Sequence, residues 1–542
     1  MVLMRRRTFT AGAAALGLGS AGCDLFRRKR HYGGEILGPS LELGHKVRDI
    51  QLPQPTTFED VDVVIVGGGV AGLSAAWRFE GQGFKKYLLL ELEPEVGGTA
   101  RSGRNGISAY PWGAHYVPAP NRDNRALVRI LQEVGAVESF TEQGDPVFAE
   151  QALVRTPEER IFAAGQWWEG LYLRAGMSRE DELQYKRFLS EVDAWVAWRD
   201  AQGRRAFTIP RSKCSDAPEP QALDRQSFRQ WLDKRNFTSE RLLWLLDYGC
   251  RDDYGTRLDN TSAWAGIFYF AARKLNPGEE SRPIIAWPEG NGALVNHLKS
   301  LCQDRIRTGI AVSQILRVSP DAIQVSGFDA KNSIALGWSA KRVIFAGPQH
   351  LAQHVIPTLW TERPEGVTAF HVAPWLVANI SLRDRPKETG MPLAWDNVLR
   401  DSPGLGYVVA THQSYRDNGP TVWTYYYPFT DLDDRAERKR LQDMDWQTCA
   451  NLALDDLRKA HPDLNRYVAR VDIIQWGHGM IQPRPNFLFS EALRRAKEPH
   501  QGIHFAHTDL SGLALFEEAQ DHGLRAAEEI LTVFGIVSPT WR

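Results

Sequence analysis

Residues 61–72 restrict the fold of this chain more than any other part of its sequence. Val61-Asp62-Val63-Val64-Ile65-Val66 is nearly all β-branched and runs directly into Gly67-Gly68-Gly69-Val70-Ala71-Gly72. The first stretch predicts a parallel strand buried on both faces. Gly67 permits a tight turn, Gly69 lets the main chain approach a pyrophosphate, and Gly72 lets a helix pack closely on the strand.

The residues that follow complete a nucleotide-binding unit. Leu73–Phe79 predicts a helix whose N-terminus, including Ala71, offers N–H groups to phosphates. A second strand, Tyr87–Leu90, ends at Glu91, which lies 19 residues after Gly72. A ribose-binding carboxylate is expected at that spacing. Strand, glycines, helix, strand and acid together predict a Rossmann-type dinucleotide site.

Composition places this unit in an ordinary globular protein of several domains. The 542 residues are 43% apolar and 24% charged, and the formal net charge is −1. These values exclude a disordered chain, a fibre or a coiled-coil rod, and they give no indication of nucleic-acid binding. The five cysteines form no CxxC pair and show no zinc-site spacing, so we predict no metal.

A second pair of glycines indicates which dinucleotide is bound. The stretch Glu91-Leu92-Glu93-Pro94-Glu95-Val96-Gly97-Gly98-Thr99-Ala100-Arg101-Ser102 resembles the signature of FAD oxidoreductases such as flavin amine oxidases, protoporphyrinogen oxidases and phytoene desaturases. The resemblance implies that Gly97, Gly98 and Arg101 contact FAD, although Thr99 stands where those families often carry arginine. Tyr110-Pro111-Trp112-Gly113-Ala114-His115-Tyr116 resembles their next segment, in which Gly113 and Ala114 would pass the flavin ring.

Later blocks extend the resemblance over most of residues 61–535. They are the helix entry at 287–294, a strand at 310–315 whose Val312 would meet adenine, the strand at 341–348, and the closing motif at 503–509 and 518–527. In the closing motif, Asp509 and Ala519 are the candidate FAD contacts, and His507 replaces a glycine. No cysteine falls at the expected flavin edge, so the resemblance implies non-covalent FAD.

We therefore predict an α/β (α+β) fold with a discontinuous FAD-binding domain. Its three stretches are 61–120, 285–350 and 485–542. Residues 121–284 are interpreted as a helical insertion. Residues 351–484 are interpreted as a mixed-sheet substrate domain, because 377–382, 406–410 and 421–427 read as strands.

Four residues are candidates for catalysis, although ordinary packing is the alternative for each. His115 and Tyr116 follow the flavin segment, and His478 precedes the closing motif; imidazole titrates near neutral pH. Many flavin amine oxidases carry a lysine that holds a water at the flavin, but residues 366–383 contain none. Trp375 falls near that position, and Lys274 is the alternative source of a lysine.

The resemblance leaves three functions open. The first is hydride removal from a C–N or C–C bond of a small or lipid-like substrate, with oxygen or a quinone as the electron acceptor. The second is desaturation or isomerisation of an isoprenoid or lipid. The third is a flavin-bearing binding or assembly protein without turnover.

Residues 1–30 resemble an export leader. Arg6-Arg7-Thr8-Phe9 matches the twin-arginine pattern, and the next residues up to Gly22 carry no charge. Ser20-Ala21-Gly22-Cys23 resembles a lipoprotein cleavage box. We expect export by the twin-arginine machinery to the periplasm, with a candidate membrane anchor at Cys23; a basic tail without a signal function is the alternative. Residues 31–60 read as a linker packed on the body.

Overall fold

The computed structural model describes residues 32–48, 52–431 and 433–542. Arg6, Arg7 and Cys23 of the proposed leader lie outside the described residues. Among those that are described, no helix combines the length and hydropathy needed to cross a bilayer.

Both strands and helices occur along the described chain, in runs of either kind as well as in alternation. The strands are β1 Ile36–Gly38, β2 Glu59–Val66, β3 Tyr87–Leu90, β4 Ser102–Arg104, β5 Ala109–Pro111, β6 Val117–Pro118, β7 Val137–Phe140, β8 Pro146–Phe148, β9 Glu159–Ala163, β10 Gln166–Glu169, β11 Ile284–Ile285, β12 Ile306–Arg307, β13 Ile310–Ser319, β14 Ala322–Asp329, β15 Ile334–Phe345, β16 Val372–Leu382, β17 Asp396–Leu399, β18 Gly406–Val409, β19 Thr421–Pro428, β20 Val468–Ile481 and β21 Ile503–Phe505. The α-helices are α1 Leu41–Arg48, α2 Val70–Glu80, α3 Arg125–Glu133, α4 Arg179–Ala197, α5 Pro218–Ala222, α6 Phe228–Asp233, α7 Glu240–Tyr254, α8 Ala263–Ala271, α9 Gly292–Cys302, α10 Gln349–Val355, α11 Leu359–Glu362, α12 Asp434–Gln442, α13 Trp446–Leu457, α14 Glu491–Ala496 and α15 Phe516–Val533.

The predicted nucleotide-binding sheet is assembled from three distant stretches of chain. Strands β12, β3, β2, β15 and β21 lie side by side and parallel, and β13 and β14 extend the sheet as an antiparallel pair along the first half of β15. The last four residues of β2 are fully buried, as the β-branched run predicts. Parallel strands covered on both faces give the fold class expected from the sequence, which is thereby confirmed.

Helices α2 and α15 pack against each other beside this sheet. A Cβ on Gly523 of α15 would lie 2.1 Å from the carbonyl oxygen of Ala71 in α2, so only glycine permits this approach. The side chain of Arg78 in α2 donates to Glu528 of α15 at 3.0 Å. The first and last helices of the domain therefore form one layer.

A second, mixed sheet of eight strands forms the predicted substrate domain. Its order is β1-β20-β16-β19-β18-β17-β9-β10, with parallel pairing only at β1–β20 and β17–β9. Every residue of β16 and β19 is buried, which fits central strands covered on both faces. Helices α4 to α8 form an adjacent layer. The S-x-x-Q pattern of Ser227 and Gln230 predicts a capping box, and α6 begins with this box.

The structure of two segments differs from the sequence-based prediction. Residues 31–60 contain β1 and α1, and β1 pairs with β20, so this stretch contributes to the substrate sheet. Residues 121–284 are not purely helical, because β9 and β10 form a hairpin in the same sheet. The hairpin turns at Ala164 and Gly165, both with positive φ, and its strands are rich in aromatic residues.

Candidate functional site

The first two glycine motifs meet at the N-terminus of α2. The φ angle of Gly67 is 107°, and a Cβ on Gly72 would lie 1.9 Å from the carbonyl oxygen of Gly67. A Cβ on Gly69 would meet no atom within 4 Å, so this position is open to a ligand. Gly98 faces it, since a Cβ there would lie 3.4 Å from the Gly69 Cα, and the Gly97 N–H donates to the Gly68 carbonyl at 2.8 Å.

Glu91 links these turns through hydrogen bonds. Its Oε2 accepts from the Gly68 N–H at 2.6 Å, and its Oε1 accepts from the Glu93 N–H at 2.8 Å. Burial raises the pKa of Glu91, and the two main-chain donors oppose that shift. A carboxylate has about four acceptor sites, so the predicted contact with a ribose is compatible with both bonds.

Arg101 is a buried cation with unused hydrogen-bond donors. Its side chain is 5% exposed, and Nη1 lies 3.5 Å from Glu93 Oε2. Its Nε and Nη2 are buried without a partner in the described structure. The guanidinium carbon lies 4.7 Å from the ring centroid of Trp112 and 5.8 Å from that of Trp476. Unpaired buried donors on a cation fit an anionic group such as the pyrophosphate of FAD.

The predicted flavin segment is held by main-chain bonds. The Ala114 N–H donates to the Thr99 carbonyl at 3.0 Å, and a Cβ on Gly113 would lie 2.5 Å from the same oxygen. The Tyr426 hydroxyl donates to the Gly113 carbonyl at 2.9 Å. The segment is thus fixed beside Thr99 of the second glycine motif.

The closing motif reaches the same sheet from the other end of the chain. Asp509 is buried and accepts from the Gln349 N–H at 2.8 Å, while His507 Nδ1 lies 3.1 Å from its carboxylate. Burial opposes ionisation of Asp509, but His507 and the Gln349 N–H hold its pKa below the ordinary value. Ala519 lies near the start of α15, and Val312 is buried in β13 opposite Gly327.

His115 stands in a cluster of aromatic rings. Its ring centroid lies 4.9 Å from Tyr426, 5.0 Å from Tyr116 and 5.4 Å from Trp395. Burial lowers the pKa of His115 to about 4, although a hydrogen bond to Gly113 opposes the shift. The imidazole is therefore neutral at neutral pH.

Tyr116 is hydrogen-bonded to an ion pair. Arg273 Nη2 donates to the Tyr116 hydroxyl oxygen at 3.0 Å and to both carboxylate oxygens of Asp253 at 2.8 Å. Burial raises the pKa of Tyr116 well above its ordinary value. Asn291, from the predicted helix entry, donates to the Tyr116 carbonyl at 3.0 Å.

The surroundings of the other two catalytic candidates, His478 and Trp375, differ from those of His115 and Tyr116. His478 is exposed on β20 and stacks on His350 with centroids 3.9 Å apart. Trp375 lies on β16 opposite Trp476, and its indole packs under Gly255 with Nε1 buried and without a partner in the described chain. Lys274, the alternative lysine, is paired with Asp193 at 2.5 Å.

Sequence reasoning missed a group of carboxylates beside the His115 cluster. Asp252 and Asp253 end α7, Glu159 begins β9, and Asp396 begins β17 as the direct register partner of Glu159. Burial raises the pKa of Asp252 to about 7, with the neighbouring Asp253 adding to the shift, whereas Glu159 is exposed at the start of β9. The only indication of this group in the sequence is that two pairs of acidic residues are adjacent, at 158–159 and 252–253.

The residues described do not arrange a metal centre. No set of three or more histidine, cysteine, aspartate or glutamate side chains among them is placed to hold a metal ion. The four cysteines that the structure describes, Cys214, Cys250, Cys302 and Cys449, are buried and free.

The two sheets, the apposed glycine turns and the buried Arg101 define a dinucleotide-binding flavoprotein. The model of the flavin-containing amine oxidoreductase family matches residues 70–531. The chain belongs to that family, and it is an FAD-dependent oxidoreductase.

Individual relatives are similar over different lengths. An FAD-dependent monooxygenase, atnA, from Arthrinium sp is 38% identical over 112 residues, which are 20% of this chain and 12% of that protein. The chain thus spans only a small part of this curated relative. A triple mutant of putrescine oxidase matches with a TM-score of 0.65 and 16% identity, over 88% of this chain and 100% of that one. A CLA-producing fatty acid isomerase from P. acnes matches with a TM-score of 0.60 and 15% identity, over 88% and 98%. At these identities the two structures show the fold alone.

Proposed function

We propose that the protein oxidises an amine by removing hydride from a carbon bonded to nitrogen. The observation that carries this proposal is the cluster of aromatic rings around neutral His115, directly after the Gly113–Ala114 segment. FAD supplies the hydride acceptor when it is bound. Family membership supports amine oxidase-like chemistry in general.

This aromatic cluster is suited to an amine in two ways. The faces of Tyr426, Trp395 and Tyr116 attract a cationic nitrogen, because aromatic rings carry negative charge on their faces. Once the bound nitrogen has lost its extra proton to solvent, neutral His115 accepts a hydrogen bond from an N–H of the amine and orients its lone pair. Packed aromatic side chains also exclude water from the reacting carbon.

A lipid-like or isoprenoid substrate is the second candidate. The aromatic lining would accept a flat apolar chain, and the fatty acid isomerase has a similar fold. A fatty acid also carries a carboxylate, and binding it here would bring further negative charge beside Asp252 and Asp396, whose ionisation burial already opposes. A cationic amine would instead favour their ionised form, so these acids favour the amine.

Anaerobic flavin bleaching tests this proposal. Alkylamines should bleach the yellow holoenzyme and yield aldehyde on turnover, whereas fatty acids and isoprenoids should not. The flavin of the His115→Phe variant should bleach at least tenfold more slowly than that of the wild type. The matched control is His297→Phe on α9, whose flavin should bleach at the normal rate. Bleaching by lipids but by no amine would refute the proposal.

We further propose that the protein is exported by the twin-arginine route to the periplasm, with Cys23 as a candidate anchor. The Arg6-Arg7-Thr8-Phe9 pattern and the uncharged stretch after it support this proposal. Changing Arg6 and Arg7 together to lysine keeps the charge but removes the paired guanidinium groups. The variant should stay in the cytoplasm on cell fractionation, and unchanged export would refute the route.

A further inference from the structure

A shallow pocket lies on the face of the nucleotide-binding sheet opposite to α2 and α15. It encloses about 400 Å³ of empty space, part of it open to solvent. Four apolar residues that line it belong to one cluster on that face: Ala352, Leu359, Ala496 and Phe505. Ala506, the residue after Phe505, packs with α2 and α15 on the other face. The lining comes from α10, α11, α14, β21 and the turn after α11, and so does not include the glycine turns beside α2.

Two glutamines of α10 line this pocket and carry buried polar atoms without a partner. Gln349 and Gln353 are four residues apart, so they lie on one face of the helix. Gln349 is 8% exposed, and its Nε2 has no hydrogen-bond acceptor in the described structure. Gln353 Nε2 lies 3.5 Å from the carbonyl oxygen of His350, whereas its Oε1 is buried without a donor among the described residues. Buried polar atoms are nearly always hydrogen-bonded in folded proteins, so this pair indicates a ligand that accepts one hydrogen bond and donates another.

Two arginines at the pocket hold its walls together. Arg363 donates to the carbonyl oxygens of Arg495 at 2.8 Å and Glu498 at 2.9 Å. Arg495 in turn donates to the carbonyl oxygen of Glu362 at 2.9 Å, so α14 is fixed against α11. These guanidinium groups bind the main chain, and the described side chains that line the pocket include no carboxylate. Apolar walls with one polar donor and one polar acceptor suit a neutral, flat ligand.

Gln349 also connects this pocket to the expected cofactor site. Its main-chain N–H donates to the carboxylate of Asp509 at 2.8 Å, and Asp509 is the candidate FAD contact of the closing motif. Phe505 belongs to the same motif and lies on β21, which pairs with β15 directly before Gln349. A molecule bound between Gln349 and Phe505 is therefore next to residues that are expected to hold FAD.

We infer that this pocket binds a quinone, which serves as the electron acceptor of the enzyme. The inference rests on the proposed oxidation, because that reaction leaves FAD reduced. The Gln349 amide donates to a quinone carbonyl, and the Gln353 amide oxygen accepts from a hydroxyl of the hydroquinone. Two electrons pass from FADH2 to the quinone, the two protons of FADH2 are released, and each quinone oxygen takes up one proton. Oxidised FAD and a hydroquinone result.

Calorimetric titration of the oxidised holoenzyme with duroquinone tests this pocket without turnover. The wild type should bind duroquinone at one site. Gln349→Leu and Gln353→Leu should each weaken binding by about three- to tenfold, because each removes one hydrogen bond. Ala492→Phe should abolish binding, since Ala492 lines the pocket from α14 and is only half-buried, so the larger ring can be accommodated in the fold while filling the pocket. Gln132→Leu, an exposed glutamine on α3, is the matched control and should leave the Kd unchanged.

Reoxidation of the dithionite-reduced holoenzyme provides a second readout that does not depend on any amine. The rate with duroquinone should saturate as its concentration rises, and Ala492→Phe should lower that rate at least tenfold. Reoxidation by ferricyanide, which needs no apolar pocket, should be the same in both proteins. Failure of the wild type to bind duroquinone, or equal quinone rates in wild type and Ala492→Phe, would overturn the quinone site and leave amine oxidation standing. The absence of bleaching by any amine would instead refute the proposed function.

Discussion

At the scale of single residues, Glu91 connects the nucleotide-binding turns through both of its carboxylate oxygens. The sequence spacing placed this acid at the end of β3 but did not reveal that it holds the main chain of Gly68. Its structural role and its predicted ribose contact use the same carboxylate.

Glu91→Ala should therefore weaken FAD binding by about ten- to a hundredfold, because hydrogen bonds to an ionised group contribute about 1.5–3 kcal/mol each. Fluorescence titration of the deflavinated protein with FAD measures the change in Kd. Glu95→Ala is the matched control, since Glu95 is exposed in the same loop. An unchanged Kd for Glu91→Ala would show that this acid does not support the cofactor.

Asp252→Asn should stabilise the protein at alkaline pH. Burial and Asp253 raise the pKa of Asp252 to about 7, so the folded state holds a proton that the unfolded chain releases near pH 4. Stability falls as pH rises between these values, and the full cost is present above pH 7. We expect a gain of about 1–3 kcal/mol at pH 8 and none at pH 4. Equal Tm values for variant and wild type at pH 8 would contradict this.

The presence of Trp375 near the position where many flavin amine oxidases carry a lysine leads to a prediction about the electron acceptor. No lysine occupies residues 366–383, and Lys274 is paired with Asp193, so neither places an ammonium group to hold a water at the flavin. The reduced enzyme should react slowly with oxygen and faster with an added quinone. Stopped-flow reoxidation measures both rates, and rapid reaction with oxygen that Trp375→Phe does not alter would reject this view.

At the scale of secondary-structure elements, the sequence predicts correctly the elements whose pattern is formed by neighbouring residues. The β-branched run of β2, the glycine turn and the capping box of α6 lie where expected, because each is encoded by neighbouring residues. The group of carboxylates that includes Glu159, Asp252 and Asp396 was not predicted, because it requires the pairing of β17 with β9. Acid pairs alone do not reveal which distant strands will meet.

The contact between α2 and α15 gives a prediction at this scale. Gly523→Ala would place a Cβ 2.1 Å from the Ala71 carbonyl oxygen, so the helices must separate. We expect a loss of about 1–3 kcal/mol in the free energy of unfolding, with weaker retention of FAD. Denaturant unfolding and flavin content measure both effects. Gly106→Ala is the control, since a Cβ there meets no atom within 4 Å, and unfolding of the two variants at the same denaturant concentration would contradict the prediction.

At the scale of the whole molecule, FAD should stabilise the fold, because its predicted contacts come from all three stretches of its domain. A ligand that binds only the folded state adds stability that grows with its concentration. The deflavinated protein should melt at a lower temperature than the holoenzyme, and its Tm should rise as FAD is added. Adenosine serves as the control ligand, and a Tm that does not depend on FAD would argue against a shared site.

The packing of α2 on α15 also affects how this protein is made. Arg78 and its partner Glu528 are 450 positions apart in sequence. A ribosome adding 5–20 residues per second needs roughly 20–90 s to cover that distance. During this time α2 emerges without the helix that covers it, and its apolar face remains available to chaperones. The nucleotide-binding domain can close only after α15 has been synthesised, so a nascent chain cut before residue 516 should be recovered without flavin.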